Sequence, residues 1–168
     1  FARPLGNGPF PGVVLIHHAP GWDELYKEFT RRFAHHGYMA LCPNLYFREG
    51  HGTPEDVAAK VRGVGGVADD QVVGDVVNSS EYLRALPNSN GKVGAIGFCS
   101  GGRYTLMLAC QPGVLDAAVD SAGGSIIEDQ TTLRPVQPID MISSLSCPLM
   151  ATFGEGDANP SPAHAERL

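Results

Sequence analysis

A formal net charge of −6 over 168 residues and a pI near 5.4 leave no basic run to neutralise phosphates, which speaks against a nucleic-acid or anionic-membrane partner. No apolar run approaches the roughly 20 residues of a membrane span, and the N-terminal stretch lacks the basic region and apolar core of a signal peptide. Cys42, Cys99, Cys110 and Cys147 are scattered with no Cys-x-x-Cys, so neither a zinc ribbon nor a thioredoxin-type pair is written here. Widely spaced thiols fit a reducing compartment, and the expectation is a cytoplasmic protein whose partner is a small molecule. The length suits one core and is short for two ordinary domains, so residues 1–168 are read as a single domain. The chain begins at Phe1, already close to its first strong strand, and is expected to be a piece of something longer.

Phe1 to Pro11 is rich in proline and glycine and reads as a lead-in; Gly12 to Ile16 is an unalternated apolar run, the pattern of a strand buried on both faces. His17-His18-Ala19-Pro20-Gly21-Trp22 carries too many breakers to continue it. From Asp23, a plausible N-cap, the spacing of Leu25, Phe29, Phe33 and His36 is helical, and Gly37 follows as a C-cap. Tyr38 to Cys42 is a second short strand, stopped by Pro43. Leu45 to Thr53 is a polar loop containing Arg48, and Pro54 opens a short helix. Arg62 to Asp69 is glycine-rich without phosphate-loop order and reads as a connector. Asp70 to Leu86 is a better helix, with Val73, Val76, Val77, Tyr82 and Leu83 on one face, closed by Pro87 and Asn90-Gly91.

Val93 to Phe98 then forms an apolar strand that runs into Gly97-Phe98-Cys99-Ser100-Gly101-Gly102 and out into an apolar helix from Arg103 to Cys110. This has the spacing of a nucleophile elbow with sulfur in place of oxygen: glycines two residues before and two after the nucleophile let the backbones cross, and the side chain is pushed out at the top of the sheet. The helix behind Cys99 would favour a thiolate and offer the Ser100 N–H to an oxyanion. The plainer reading is a tight strand-to-helix turn in which Cys99 is a small hydrophobe. Beyond it, Ala117 to Ser121 and Pro148 to Gly154 read as strands, Ser125 to Ser146 as a loop with modest helical content, and Pro160 to Leu168 as a helix that is starting. Strands separated by helices at this spacing give an α/β doubly wound, mostly parallel sheet.

In such a sheet, active residues collect in the loops at the carboxyl ends of the strands. Those loops hold His17 and His18, Trp22, Arg48, Cys99, and Asp157. The set, with Gly12 to His17, Pro43 to Arg48, Gly97 to Gly102 and Phe153 to Asp157 in this order, resembles the dienelactone hydrolase family of α/β-hydrolases, and nearly the whole chain is covered. The resemblance implies an α/β-hydrolase fold, incomplete at both ends, that hydrolyses small esters or enol-lactones by acyl transfer through a thioester, without metal or cofactor. By position, Cys99 is implied as nucleophile and Asp157 as the acid that orients a histidine. The N–H groups of Ser100 and Ala19 are implied as the oxyanion hole, and Arg48 as the fork for a substrate carboxylate. From the residues alone, Trp22, with Tyr46 and Phe47, reads either as a wall of the pocket or as core. Two departures stand out. His18 occupies the place of a glutamate that controls the cysteine's protonation, and could itself hydrogen-bond Cys99. The triad histidine belongs after a further strand beyond Asp157, so it is expected past Leu168, while His164 lies too close to Asp157 in sequence to be preferred. Two other functions stay open: a catalytically silent binding protein of the same fold, and a thiol-based redox function, which requires Cys42 or Cys110 within bridging distance of Cys99.

Overall fold

The structure, a computed structural model, describes residues 1–168. Five parallel strands form one sheet: β1 (Phe10–Ile16), β2 (Met39–Leu41), β3 (Ser89–Phe98), β4 (Ala117–Ser121) and β5 (Leu149–Thr152), in the spatial order β2-β1-β3-β4-β5. Five helices connect and cover them: α1 (Glu24–His35), α2 (Pro54–Gly63), α3 (Asp69–Ala85), α4 (Ser100–Ala109) and the single turn α5 (Pro162–Ala165), with 3-10 turns at Phe47–Glu49 and Pro138–Ser144.

The period-2 alternation of strand side chains sorts the core into two layers. Val14 and Ile16 of β1, with Val93 and Ala95 of β3, enter the larger cluster beneath α3 and α4, which includes Val72, Val76, Leu83, Met107 and Leu108. Val13 and Leu15 point the other way, to Tyr26, Ala40 and Cys42, with Phe29, Phe33, Ile96 and Phe98 packed alongside under α1. This double coverage explains the unalternated apolar run in β1, where Leu15 and Ile16 have no solvent exposure. Burial of each such side chain stabilises the fold by about 2 kcal/mol.

The helices depart from the sequence pattern in small ways. The buried stripe of α1 is Tyr26, Thr30 and Ala34, and Leu25 is 47% exposed. The Asp23 carboxylate accepts the Tyr26 N–H at 3.2 Å and so fixes where the first turn begins. On α3 the inward positions include Val72, Ser79 and Ser80, while Tyr82 lies outside against the Phe1 ring. Helix α4 starts at Ser100, so Gly101 and Gly102 are its first turn and not a loop ahead of it.

Candidate active site

The junction between β3 and α4 is strained. Cys99 has φ 54° and ψ −119°, a backbone region that costs a non-glycine residue roughly 1–3 kcal/mol. Surrounding contacts hold it there: its N–H donates to the Ser121 carbonyl at 3.0 Å, and its own carbonyl accepts from the Gly102 N–H at 3.0 Å and the Arg103 N–H at 3.3 Å. The glycines are required by close approach. A Cβ at Gly97 would overlap the Gly101 carbonyl, one at Gly101 the Ile16 carbonyl, and one at Gly102 the Asp120 carboxylate. With β3, α4 and β1 in such contact, Cys99 is held exposed.

The other three thiols are free and more shielded. Burial pushes Cys42 up to about 12 and also raises Cys110 and Cys147. No disulfide joins any of the four.

Ser100 N–H is the first of α4, where no helical carbonyl is available to it. Ser100 and Ala19 line one cavity of about 190 Å³, together with His17, Tyr46, Tyr104, Arg62 and Arg134. His17 is 2% exposed, and both ring nitrogens are engaged: Nδ1 with the His18 carbonyl at 2.9 Å, and Nε2 as acceptor of the Leu45 N–H at 3.1 Å. Burial pushes it down to about 4, so the neutral ring ties the loop carrying Ala19 to the loop after β2. His18 Nε2 lies 3.0 Å from Asp23 Oδ2. Although burial raises the Asp23 carboxyl, hydrogen bonds from His18 and the Tyr26 N–H outweigh that and hold it below its usual range. Tyr26, which packs edge-on against His18 at 4.9 Å, has its phenol raised by burial and, to a smaller extent, by Cys99. His18 thus packs on Tyr26, whose ring in turn lies 6.2 Å from that of Phe98, the residue before Cys99.

Arg48 is elsewhere. Its guanidinium forks onto Asp75, with Nη1 at 2.8 Å and Nη2 at 2.9 Å, and it lines a separate surface concavity with Asn78 and Ser79. Two residues that the sequence reading passed over take its place beside Ser100: Arg62, from the end of α2, and Arg134, from the loop before the second 3-10 turn. Arg134 meets Glu128 only at 3.3–3.4 Å, and its Nε is buried without a partner. The Tyr46 phenol, raised by burial, lines the same cavity as both arginines. Trp22 lines the neighbouring concavity and not the one that holds Ser100. Asp157 closes a tight turn, its Oδ2 accepting the Gly154 N–H at 2.9 Å, and His164 lies on α5 beyond it. Nothing in the sequence pattern singled out Arg62, Arg134 or the second role of Asp23, because each depends on which loops meet in space.

A strained residue at a strand-to-helix turn on a parallel sheet, with amide donors next to it, defines an α/β-hydrolase fold. The sequence profile described as the "Dienelactone hydrolase family" matches residues 1–168, and the chain belongs to that family. Among its relatives, the "Putative carboxymethylenebutenolidase" of Escherichia coli K12 is 33% identical over 159 residues, covering 93% of this chain and 58% of that protein. The "Carboxymethylenebutenolidase" of Pseudomonas putida is 33% identical over 123 residues, covering 70% and 52%. A crystal structure of a "Putative Dienelactone Hydrolase" from Klebsiella pneumoniae superposes with a TM-score of 0.84 at 29% identity, over 98% of this chain and 70% of that one. The chain thus spans just under three fifths of the length of such curated relatives as that of E. coli. No helix is long and apolar enough to cross a membrane.

Proposed function

We propose that this chain carries the nucleophile of a cysteine-dependent hydrolase of small carboxylated esters or enol-lactones, working in the cytoplasm, where its free thiols persist. The observation that carries the reading is Cys99: exposed, and held at φ 54° where only a precise set of contacts keeps a side chain. The relatives named for carboxymethylenebutenolidase activity support the substrate class.

The Cys99 sulfur attacks the ester carbonyl, and a carbon–sulfur bond forms as the carbonyl π electrons move to oxygen. The N–H groups of Ser100 and Ala19 hold that oxyanion; loss of one such donor typically costs about 100- to 1000-fold in kcat. The oxyanion collapses and expels the enolate or alkoxide, which takes up a proton, leaving a thioester. Water then attacks the thioester, releases the acid and returns the thiol. His18, oriented by Asp23 at 3.0 Å, accepts the thiol proton and stabilises the thiolate. Asp157 is the acid that orients a triad histidine. Arg62 and Arg134 bind the substrate carboxylate, because they face the Ser100 cavity while the Arg48 fork is occupied by Asp75.

The test is Cys99→Ala, assayed on small lactone and aryl ester substrates, with intact-mass detection of the acyl-enzyme in the unaltered protein. The expected result is loss of turnover in the variant and an acyl adduct that maps to Cys99. Turnover retained by the variant removes covalent catalysis at this residue, and a ligand that binds without any adduct or turnover returns the chain to the silent-binder alternative.

A further inference from the structure

Tyr46, which lines the Ser100 cavity, also lines a second concavity, of about 300 Å³. Its walls are Trp22, Tyr46 and Phe47, and its polar groups include Lys27, Asn44 and His51. Three features suggest a built site. Phe47, on a 3-10 turn, is 72% exposed; a lone exposed apolar side chain needs no explanation, but this one shares a cavity with two other aromatic rings. Lys27 Nζ sits 4.6 Å from the centre of the Trp22 ring, and its ion-pair partner Glu24 is 79% exposed, so that pair is weak and a ligand carboxylate can take the place of Glu24 at little cost. The two loops that form the rim come close through glycine: Gly21 has φ 100°, and a Cβ there would meet the Tyr46 ring at 3.4 Å, while Gly50 and Gly52 hold φ of 120° and 151° on the opposite side.

We propose that this concavity is a binding site for a planar aromatic ring bearing a carboxylate, the ring faced by Trp22 and Phe47 and the carboxylate directed to Lys27 and His51. Aromatic walls reward a flat π system through offset or edge-to-face contact, which a saturated ring of the same size does not provide. The ammonium and imidazole supply donors at the edge. The inference is separate from the hydrolase reading, since occupancy requires no turnover.

Trp22 is the single tryptophan, so its fluorescence reports this site directly. Titration of the protein with benzoate should change Trp22 emission saturably, with affinity about 5-fold or more above that of cyclohexanecarboxylate. Phe47→Ala, at an exposed position where the fold is retained by circular dichroism, should weaken benzoate about 5- to 10-fold. Lys27→Gln should weaken benzoate but leave benzyl alcohol unchanged. Cys99→Ala should bind benzoate as the unaltered protein does; that result, with turnover lost or kept, separates this site from the catalytic proposal. No saturable change up to the solubility limit, equal affinity for cyclohexanecarboxylate, or unchanged affinity in Phe47→Ala would each overturn the inference.

Discussion

Arg103 is the largest fully buried side chain, and its replacement tests how the elbow helix is anchored. The guanidinium on α4 forks onto Asp69 at the start of α3, with distances of 2.7 and 3.1 Å, and the two side chains are 1% and 6% exposed. It also donates to the Val136 carbonyl at 3.1 Å and the Ser125 carbonyl at 3.3 Å. Arg103→Met leaves the Asp69 carboxylate buried without its counter-charge and two carbonyls without a donor, and removal of one partner of such a pair costs about 3–5 kcal/mol. At about 2–4 °C per kcal/mol for a chain of this size, Tm should fall by roughly 6–20 °C. Asp69→Asn should cost less, about 1–3 kcal/mol, because the amide oxygen still accepts and Glu128, 3.4 Å from Arg103 Nε, shares the charge. The double variant Arg103→Met/Asp69→Leu should recover at least half of the Arg103→Met loss, since no unpaired charge remains. Urea midpoints at constant m-value measure all three. A loss below about 1 kcal/mol for Arg103→Met, or a double variant no more stable than Arg103→Met alone, would refute the argument that the pair is coupled and buried.

The remaining predictions concern the elbow, pH and the substrate carboxylate. Gly97→Ala drives a methyl into the Gly101 carbonyl, which has no flexible end to yield, and should cost roughly 3 kcal/mol and abolish reactivity at Cys99. For His17 the folded value of about 4 lies below the unfolded 6.5, so its stabilisation is fully present above pH 6.5 and is lost as pH falls towards 4. Asp120, raised by burial to about 6 from 3.8, works in the opposite sense, its contribution being lost as pH rises through 6. Asp120→Asn should therefore raise stability at pH 7.5 by about 2–3 kcal/mol relative to pH 4, and His17→Gln should flatten the acid limb; thermal melts across pH 4–8 check both, and parallel profiles for variant and parent refute them. Arg62→Ala and Arg134→Ala should each raise KM for a carboxylated ester about 10-fold with little change in kcat, while Arg48→Ala should leave KM within about 2-fold; steady-state kinetics on the acid and its methyl ester decide.

Where local chemistry settles the outcome, the sequence is explicit. The apolar run to Ile16, the Asp23 cap and the Pro54 helix start each act on near neighbours, and the corresponding elements are present within a few residues. The α4 boundary moved because the glycine pair reads as a breaker in isolation, although the close approach to Ile16 and Asp120 requires those glycines inside the first turn. The site was less legible. Arg48 lies in the expected loop, but its partner is Asp75, 27 positions away on α3. Arg62, at the end of α2, and Arg134, in the loop after β4, face one cavity although two strands and two helices separate them in sequence, and periodicity carries no information about that meeting. Asp23 announced itself as a cap through one oxygen; its second oxygen, on His18, follows only from the turn at Gly21.

The strain at Cys99 links stability to reactivity. Its roughly 1–3 kcal/mol is offset by bonds to Ser121, Gly102 and Arg103, so the conformation lasts only while α4 keeps its place over β3 and β4. The Arg103–Asp69 pair fixes α4 against α3, away from the sulfur, yet the Arg103 N–H is one of the donors to the Cys99 carbonyl. Local relaxation at the elbow requires less free energy than global unfolding, so Arg103→Met should lose thiol reactivity at temperatures where its core remains folded. Alkylation of Cys99 by iodoacetamide, followed by intact mass at 25 °C alongside circular dichroism, separates the two. Slower alkylation in a variant with unchanged ellipticity places the pair in the support of the Cys99 conformation. An alkylation rate equal to that of the parent, up to the onset of melting, would confine the pair to stability.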